Sequence, residues 1–291
     1  MNKINKRSNV VGEKCASVGG RIDYGQVLAD CGFGYNKALG QNFVFDTNLL
    51  NAIAVDSGVC KSDTVLEIGV GAGSMTNVLA KLANKVVGFE IDSRLRSVHQ
   101  LTLQCDNIEI FYRDFLKVSE SEIVKFGEYK VVANLPYYIT TPIVFKLLES
   151  ANPPSSITIM VQKEVADRLI ASPNTSQYGV LSVTVALHCK VRLLRNVSKA
   201  AFVPQPSVDS AVVHLTKNVD NTLDIARITK LIKVAFGNRR KMLVNNLMQH
   251  FNFTKVYLLQ ALDTVGISHT ARGESLSVEQ FVALSDALKS D

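Results

Sequence analysis

The residues best suited to chemistry follow the apolar run Lys130–Ala133, in the sequence Asn134-Leu135-Pro136-Tyr137-Tyr138. An exocyclic amine on an aromatic ring is a poor nucleophile, because its lone pair is delocalised into the ring. Acceptors for its two N–H groups make the nitrogen more tetrahedral and more reactive. The side-chain oxygen of Asn134 and the backbone carbonyl of Leu135 are suited to that role. Pro136 fixes the turn and removes a competing donor. Tyr137 offers a ring face on which a base can stack, worth about 1–3 kcal/mol. A strong base is not required, since an amine that has become cationic gives up its proton readily, and positioning then supplies much of the rate.

Taken alone, an Asn-Pro turn at a strand end is common, and its force comes from what precedes it. Upstream stands Glu67-Ile68-Gly69-Val70-Gly71-Ala72-Gly73-Ser74, a glycine-rich turn in which backbone can approach a ligand closely. Ser74 occupies the place of the third glycine in the dinucleotide fingerprint, which disfavours a nicotinamide oxidoreductase. Glu67 before the loop completes an E-x-G-x-G-x-G form that resembles class I methyltransferases. The next apolar run ends at Glu90, where an acid can accept both hydroxyls of a ribose. Asp92 shares its face by the strand period and competes for the role. Asp114, in Tyr112-Arg113-Asp114-Phe115, is placed to accept from an adenine amino group, or simply to start a turn.

These residues need a scaffold that brings several strand ends together. The pattern predicts strands over Thr64–Ile68, Lys85–Glu90, Ile108–Tyr112, Lys130–Ala133 and Ile157–Val161, with helices between them. Such alternation argues for a parallel sheet covered on both faces, with ligands beyond the carboxyl ends of its strands. Later strands are expected over Val191–Val197 and Ser210–Leu215, and a helix over Val180–Cys189. From about Asn218 only helical periodicity remains, over Ile225–Phe236, Lys241–His250, Lys255–Val265 and Val278–Leu288. The expected organisation is a disordered or loosely attached extension over 1–35, an α/β domain over 36–218 and a small all-helical domain over 219–291.

The 291 residues are 47% hydrophobic and 20% charged, ordinary for a soluble, well-packed chain. No apolar run approaches the ~18–20 residues of a membrane span, and the basic start is not followed by a signal-type apolar segment. The five cysteines are scattered without a C-x-x-C pair and the five histidines without ligand spacing, so neither a disulfide framework nor a metal site is expected. These features fit a reducing cytoplasm. The net charge of +6 permits an acidic partner. Arg239, Arg240 and Lys241 stand in a stretch free of acids, readable as a solvated helix face or as a phosphate-binding block.

Together these motifs resemble the ribosomal RNA adenine dimethyltransferase family over about Lys37 to Leu284. Gly40-Gln41-Asn42-Phe43, Gln162-Lys163-Glu164-Val165, Phe202-Val203-Pro204-Gln205-Pro206-Ser207-Val208-Asp209-Ser210 and Phe236-Gly237-Asn238-Arg239-Arg240-Lys241 carry the resemblance with the loops above. It implies a Rossmann-like class I methyltransferase domain using S-adenosylmethionine, joined to a helical RNA-binding domain. It also implies dimethylation of two adjacent adenosines in the 3′-terminal hairpin loop of 16S rRNA, in a small-subunit precursor particle, by a monomeric cytoplasmic enzyme. Asn42, Val44, Gly69, Gly71, Glu90, Asp114 and Asn134 would hold the cofactor, and Phe202 would flank the target adenine with Tyr137. Val44 replaces the usual Leu, and Tyr138 stands where many relatives have Asn. Leu135, Val208-Asp209-Ser210 and the basic block favour this branch over the large-subunit methylases of antibiotic resistance. Intact Glu90 and Asn134 disfavour a non-catalytic assembly factor.

Overall fold

The structure is a computed structural model describing residues 22–218 and 223–288. In chain order its elements are α1 (Tyr24–Asp30), β1 (Phe43–Val44), α2 (Thr47–Asp56), β2 (Thr64–Ile68), α3 (Ser74–Leu82), β3 (Lys85–Glu90), α4 (Arg96–Thr102), β4 (Ile108–Tyr112), α5 (Glu120–Ile123), β5 (Lys130–Asn134), α6 (Thr140–Leu148) and β6 (Ser156–Gln162). Then come α7 (Lys163–Leu169), α8 (Val180–His188), β7 (Cys189–Val197), β8 (Phe202–Val203), β9 (Ser210–Lys217), α9 (Ile225–Ala235), α10 (Leu243–His250), α11 (Lys255–Thr264) and α12 (Val278–Ala287). They form two compact units, one of residues up to Ile159 with Ser198–Ser207, the other of Met160–Val197 with the chain from Val208.

The first unit is built on the strand order β4-β3-β2-β5, with β6 beyond β5. β2 pairs in parallel with both β3 and β5, and β3 with β4. The inner strands are apolar on both faces: Val65, Leu66, Ile68, Val86, Val87 and Phe89 are all buried. That is what helices on both sides of a parallel sheet demand. The chain runs outward from β2 to β4 and then returns to β5 on the other side, so a crevice opens past the carboxyl ends of β2 and β5. The glycine loop follows β2 and Asn134 ends β5, so both motifs are delivered to that crevice.

The expected extension needs correcting. Residues 1–21 lie outside the described residues, but residues 22–35 do not form a loose tail. Asp23 caps α1 by accepting from the Gln26 amide at 3.0 Å. Leu28, 2% exposed, packs with Phe43, Ala72, Leu95 and Val98. The Tyr24 hydroxyl accepts from Asn77 Nδ2 at 3.0 Å. The segment is ordered by contacts distant in sequence, which is why no local period announced it.

In the second unit β9 lies between β6 and β7 and pairs antiparallel with β7. The helices α9 to α12 enclose a core that includes Ile228, Leu231, Leu247, Leu262 and Phe281. Val183 and Leu187 of α8 belong to the same core. α8 is buried nearly all round, at Leu181, Ser182, Val183, Thr184, Val185 and Leu187, so it needs cover on more than one side. Packing therefore joins to the helices a segment that periodicity had grouped with the strands before residue 218.

Candidate cofactor and base site

Past β2 and β5 lies an open cavity. Asn42, Val44, Gly69, Gly71, Glu90, Asp114, Asn134, Leu135, Pro136 and Tyr137 all line it. Thus ten of the residues singled out from sequence converge on one volume, although they span 96 positions from Asn42 to Tyr137. The exception among the candidates for this pocket is Phe202. It is 2% exposed, pairs with Val44 in the β1–β8 ribbon, and is not part of the lining.

The segment before α2 is stitched across the strand ends. The Asn36 amide donates to Gln41 Oε1 at 2.7 Å, and Gln41 Nε2 donates to Asp92 Oδ2 at 2.8 Å. Ser74 Oγ donates to the Val44 carbonyl at 2.7 Å. Asn134 Nδ2 donates to the Asn42 carbonyl at 3.0 Å. This last bond fixes the sense of the Asn134 amide, since a carbonyl can only accept, and leaves Oδ1 as the acceptor available to a ligand. At Gly71, with φ +58°, a Cβ would lie 3.2 Å from the Phe43 ring, so any other residue there would strain the backbone and push that ring by a few tenths of an ångström.

The two acids differ in their partners. Asp92 is committed: its carboxylate accepts from Arg94 Nε and Nη2 at 2.9 and 2.6 Å, and from Gln41. The Arg94 guanidinium holds its pKa below the ordinary range. Glu90 lines the cavity, with Oε2 accepting from the Gly71 amide at 2.9 Å and Oε1 from the Asp92 amide at 2.8 Å. Each oxygen keeps a further lone-pair site for a ligand. Burial pushes the Glu90 carboxyl up, against the pull of those amides. Asp114 caps a short turn, Oδ1 accepting from the Leu116 amide at 2.9 Å, and the residue also lines the cavity.

Three residues were not assigned roles from sequence. Gln41 stood in a quoted motif, and only its contacts with Asn36 and Asp92 give it a function. Arg113 also lines the cavity and is anchored to Glu122 at 2.7 Å. Glu67, 1% exposed, lies in the wall with Oε2 lacking a hydrogen-bond partner. Burial, reinforced by the charge of Glu90, pushes the Glu67 carboxyl up to about 8.

The basic block lies in the turn between α9 and α10. Asn246, 1% exposed, shapes that turn by donating to the Ala235 and Asn238 carbonyls at 2.9 and 3.1 Å. Arg239 is tied to Glu274 at 2.9 Å and to the Ser176 carbonyl at 3.3 Å. Arg240 and Lys241 are exposed, and among the described residues the Arg240 guanidinium has no ion pair. No group of three or more potential metal ligands occurs among the described residues, and no helix there is long and apolar enough to cross a membrane.

Residues 32–290 match the family described as ribosomal RNA adenine dimethylase. A protein of Bacillus licheniformis named ribosomal RNA small subunit methyltransferase A is 43% identical over 276 residues, covering 91% of this chain and 94% of that one. Its namesake in Geobacillus thermodenitrificans is 42% identical over 275 residues, with 90% and 94% covered. Among solved structures, a dimethyladenosine transferase from Plasmodium falciparum superposes with a TM-score of 0.73 at 29% identity, covering 83% of this chain and 95% of that one. The 23S rRNA methyltransferase ErmE gives 0.66 at 27% identity, with 85% and 99% covered. The match spans both units and every loop that builds the cavity, and the chain belongs to the ribosomal RNA adenine dimethylase family.

Proposed function

We propose that the protein is an S-adenosylmethionine-dependent methyltransferase that dimethylates the N6 amines of two adjacent adenosines in the 3′-terminal hairpin of 16S rRNA. It would act in the cytoplasm, on a small-subunit precursor particle. The names of the relatives from Bacillus and Geobacillus support the small subunit as target. S-adenosylmethionine supplies a methyl group on a positively charged sulfur. The Glu90 carboxyl lines the cavity and keeps lone-pair sites for the polar groups of such a cofactor, and Glu67, also in the wall, has a buried carboxyl oxygen without a partner.

In this reading Glu90 accepts the ribose hydroxyls and Asp114 the amino group of the cofactor's adenine. Asn42, Val44, Gly69 and Gly71 form the surrounding surface. Asn134 Oδ1 and the Leu135 carbonyl accept the two N–H groups of the target amine, drawing its lone pair out of the ring. Pro136 keeps the turn rigid and Tyr137 supplies the ring face for stacking. Phe202, buried on β8, would meet the base only after its ring is uncovered. Arg240 and Lys241 take RNA phosphates, with Arg239 holding their turn against Glu274.

The observation that carries the proposal is the fixed amide of Asn134, whose Nδ2 is spent on the Asn42 carbonyl. Asn134→Ala should abolish methyl transfer to unmethylated small subunits while RNA binding and the melting temperature stay near parental, because the lost acceptor matters most as the nitrogen changes geometry. Tritium transfer, with mass spectrometry of the product rRNA, reads both rate and site. Substantial turnover by the variant would defeat the role of Asn134, and methyl groups found only on large-subunit rRNA would defeat the choice of target.

A further inference from the structure

Gly71 is gripped on both sides of its backbone. Its amide donates to Glu90 Oε2 at 2.9 Å, and its carbonyl lies 2.7 Å from His99 Nε2. A carbonyl carries no proton, so the Nε2 proton of His99 must make this bond. The other ring nitrogen, Nδ1, lies 2.7 Å from the Tyr112 hydroxyl. His99 is 4% exposed, and burial lowers its pKa, so the neutral ring accepts from Tyr112 and donates to Gly71. The Tyr112 ring is in turn held under the Arg96 guanidinium, 3.9 Å from its centroid. The result is a relay from α4 and β4 to the glycine loop, made of groups that do not themselves line the cavity.

Most buried histidines with both nitrogens satisfied only hold a core together. Here the acceptor is the residue whose amide secures Glu90, in a loop where Gly69, Gly71 and Gly73 all have positive φ. Three glycines leave such a loop many backbone conformations to choose from, and an external clamp removes ordering that a ligand would otherwise have to impose. We propose that His99 is a positioning residue for cofactor binding: it sets Gly71 so that the Gly71 amide holds the Glu90 carboxylate ready for a ribose. The proposal rests on the cofactor reading of the cavity given above.

The test is calorimetric titration of the full chain with S-adenosylhomocysteine, beside methyl-transfer kinetics on unmethylated small subunits. His99→Leu should weaken binding about ten-fold and raise KM for the methyl donor equally, with kcat at saturation close to parental. His99→Gln places an amide donor at a similar reach and should recover most of the loss. Tyr112→Phe removes the hydroxyl that orients the ring and should cost about three-fold even if His99→Leu fails to fold. Parental affinity in Tyr112→Phe and His99→Leu would overturn the proposal, as would His99→Gln binding no better than His99→Leu. If the wild-type chain itself fails to bind S-adenosylhomocysteine, the cofactor reading falls, and this inference with it.

Discussion

Replacing Glu67 by Gln removes a titrating group from the wall of the cavity while keeping its size. Glu67 is 1% exposed, and its pKa rises from the ordinary 4.5 to about 8, chiefly through burial. Between those values the folded chain holds a proton that the unfolded chain has released. Stability from this group is therefore complete below pH 4.5 and falls as pH rises, until the folded group has ionised above about 8. Each pH unit in the window is worth about 1.4 kcal/mol, so the whole span amounts to at most about 5 kcal/mol. Relative to the parent, Glu67→Gln should gain stability steadily from pH 5 to 8 and then level off. Glu90, whose carboxyl is also raised by burial, is present in both proteins and largely drops out of the difference. Urea unfolding followed by circular dichroism from pH 5 to 9, at constant ionic strength, measures this. A domain has a total stability of only about 5–15 kcal/mol, so such a trend would be plain. Two stability profiles running parallel across that range would refute the buried, protonated Glu67.

The remaining predictions concern the ligands. Glu90→Ala should weaken binding of S-adenosylhomocysteine about ten- to a hundred-fold by removing a charge-assisted contact, as read by calorimetry. Asp92→Ala should act mainly by freeing Gln41 and Arg94, and a larger affinity loss there than in Glu90→Ala would return the ribose to Asp92. Changing Arg240 and Lys241 together to Ala should flatten the salt dependence of RNA binding by somewhat less than about two, in log–log slope, across RNA sequences alike. Arg239→Ala should cost about 1 kcal/mol or less through its half-exposed ion pair with Glu274, read as a small fall in melting temperature. Equal salt slopes for the parent and the double variant would mark the block as a solvated surface.

What the sequence made legible and what it hid divide along a physical line. Strands β2 and β3 agree with the expected ranges because strands buried on both faces are continuous apolar runs, ended by glycine or acid at the crevice. The cavity was legible for the same reason: strand ends in a parallel sheet meet by topology, so motifs at those ends must meet as well. Choices between neighbours of like type were not local. Glu90 and Asp92 share a face by period, and only Arg94 and Gln41 distinguish them. Arg239 and Arg240 are adjacent and chemically alike, and the partner that separates them, Glu274, lies 35 positions from Arg239. α1 is a single short helix with Leu28 as its buried residue, too little for a period, and its order comes from Asn77, Phe43 and Val98. His99 gave no signal, because a histidine that orients a peptide has no spacing rule to satisfy. A pattern in sequence reports which face of an element is buried. It does not report which donor on that face finds which acceptor, and at this site those pairings distinguish the acids and bases that hold the loops from those left to meet a ligand.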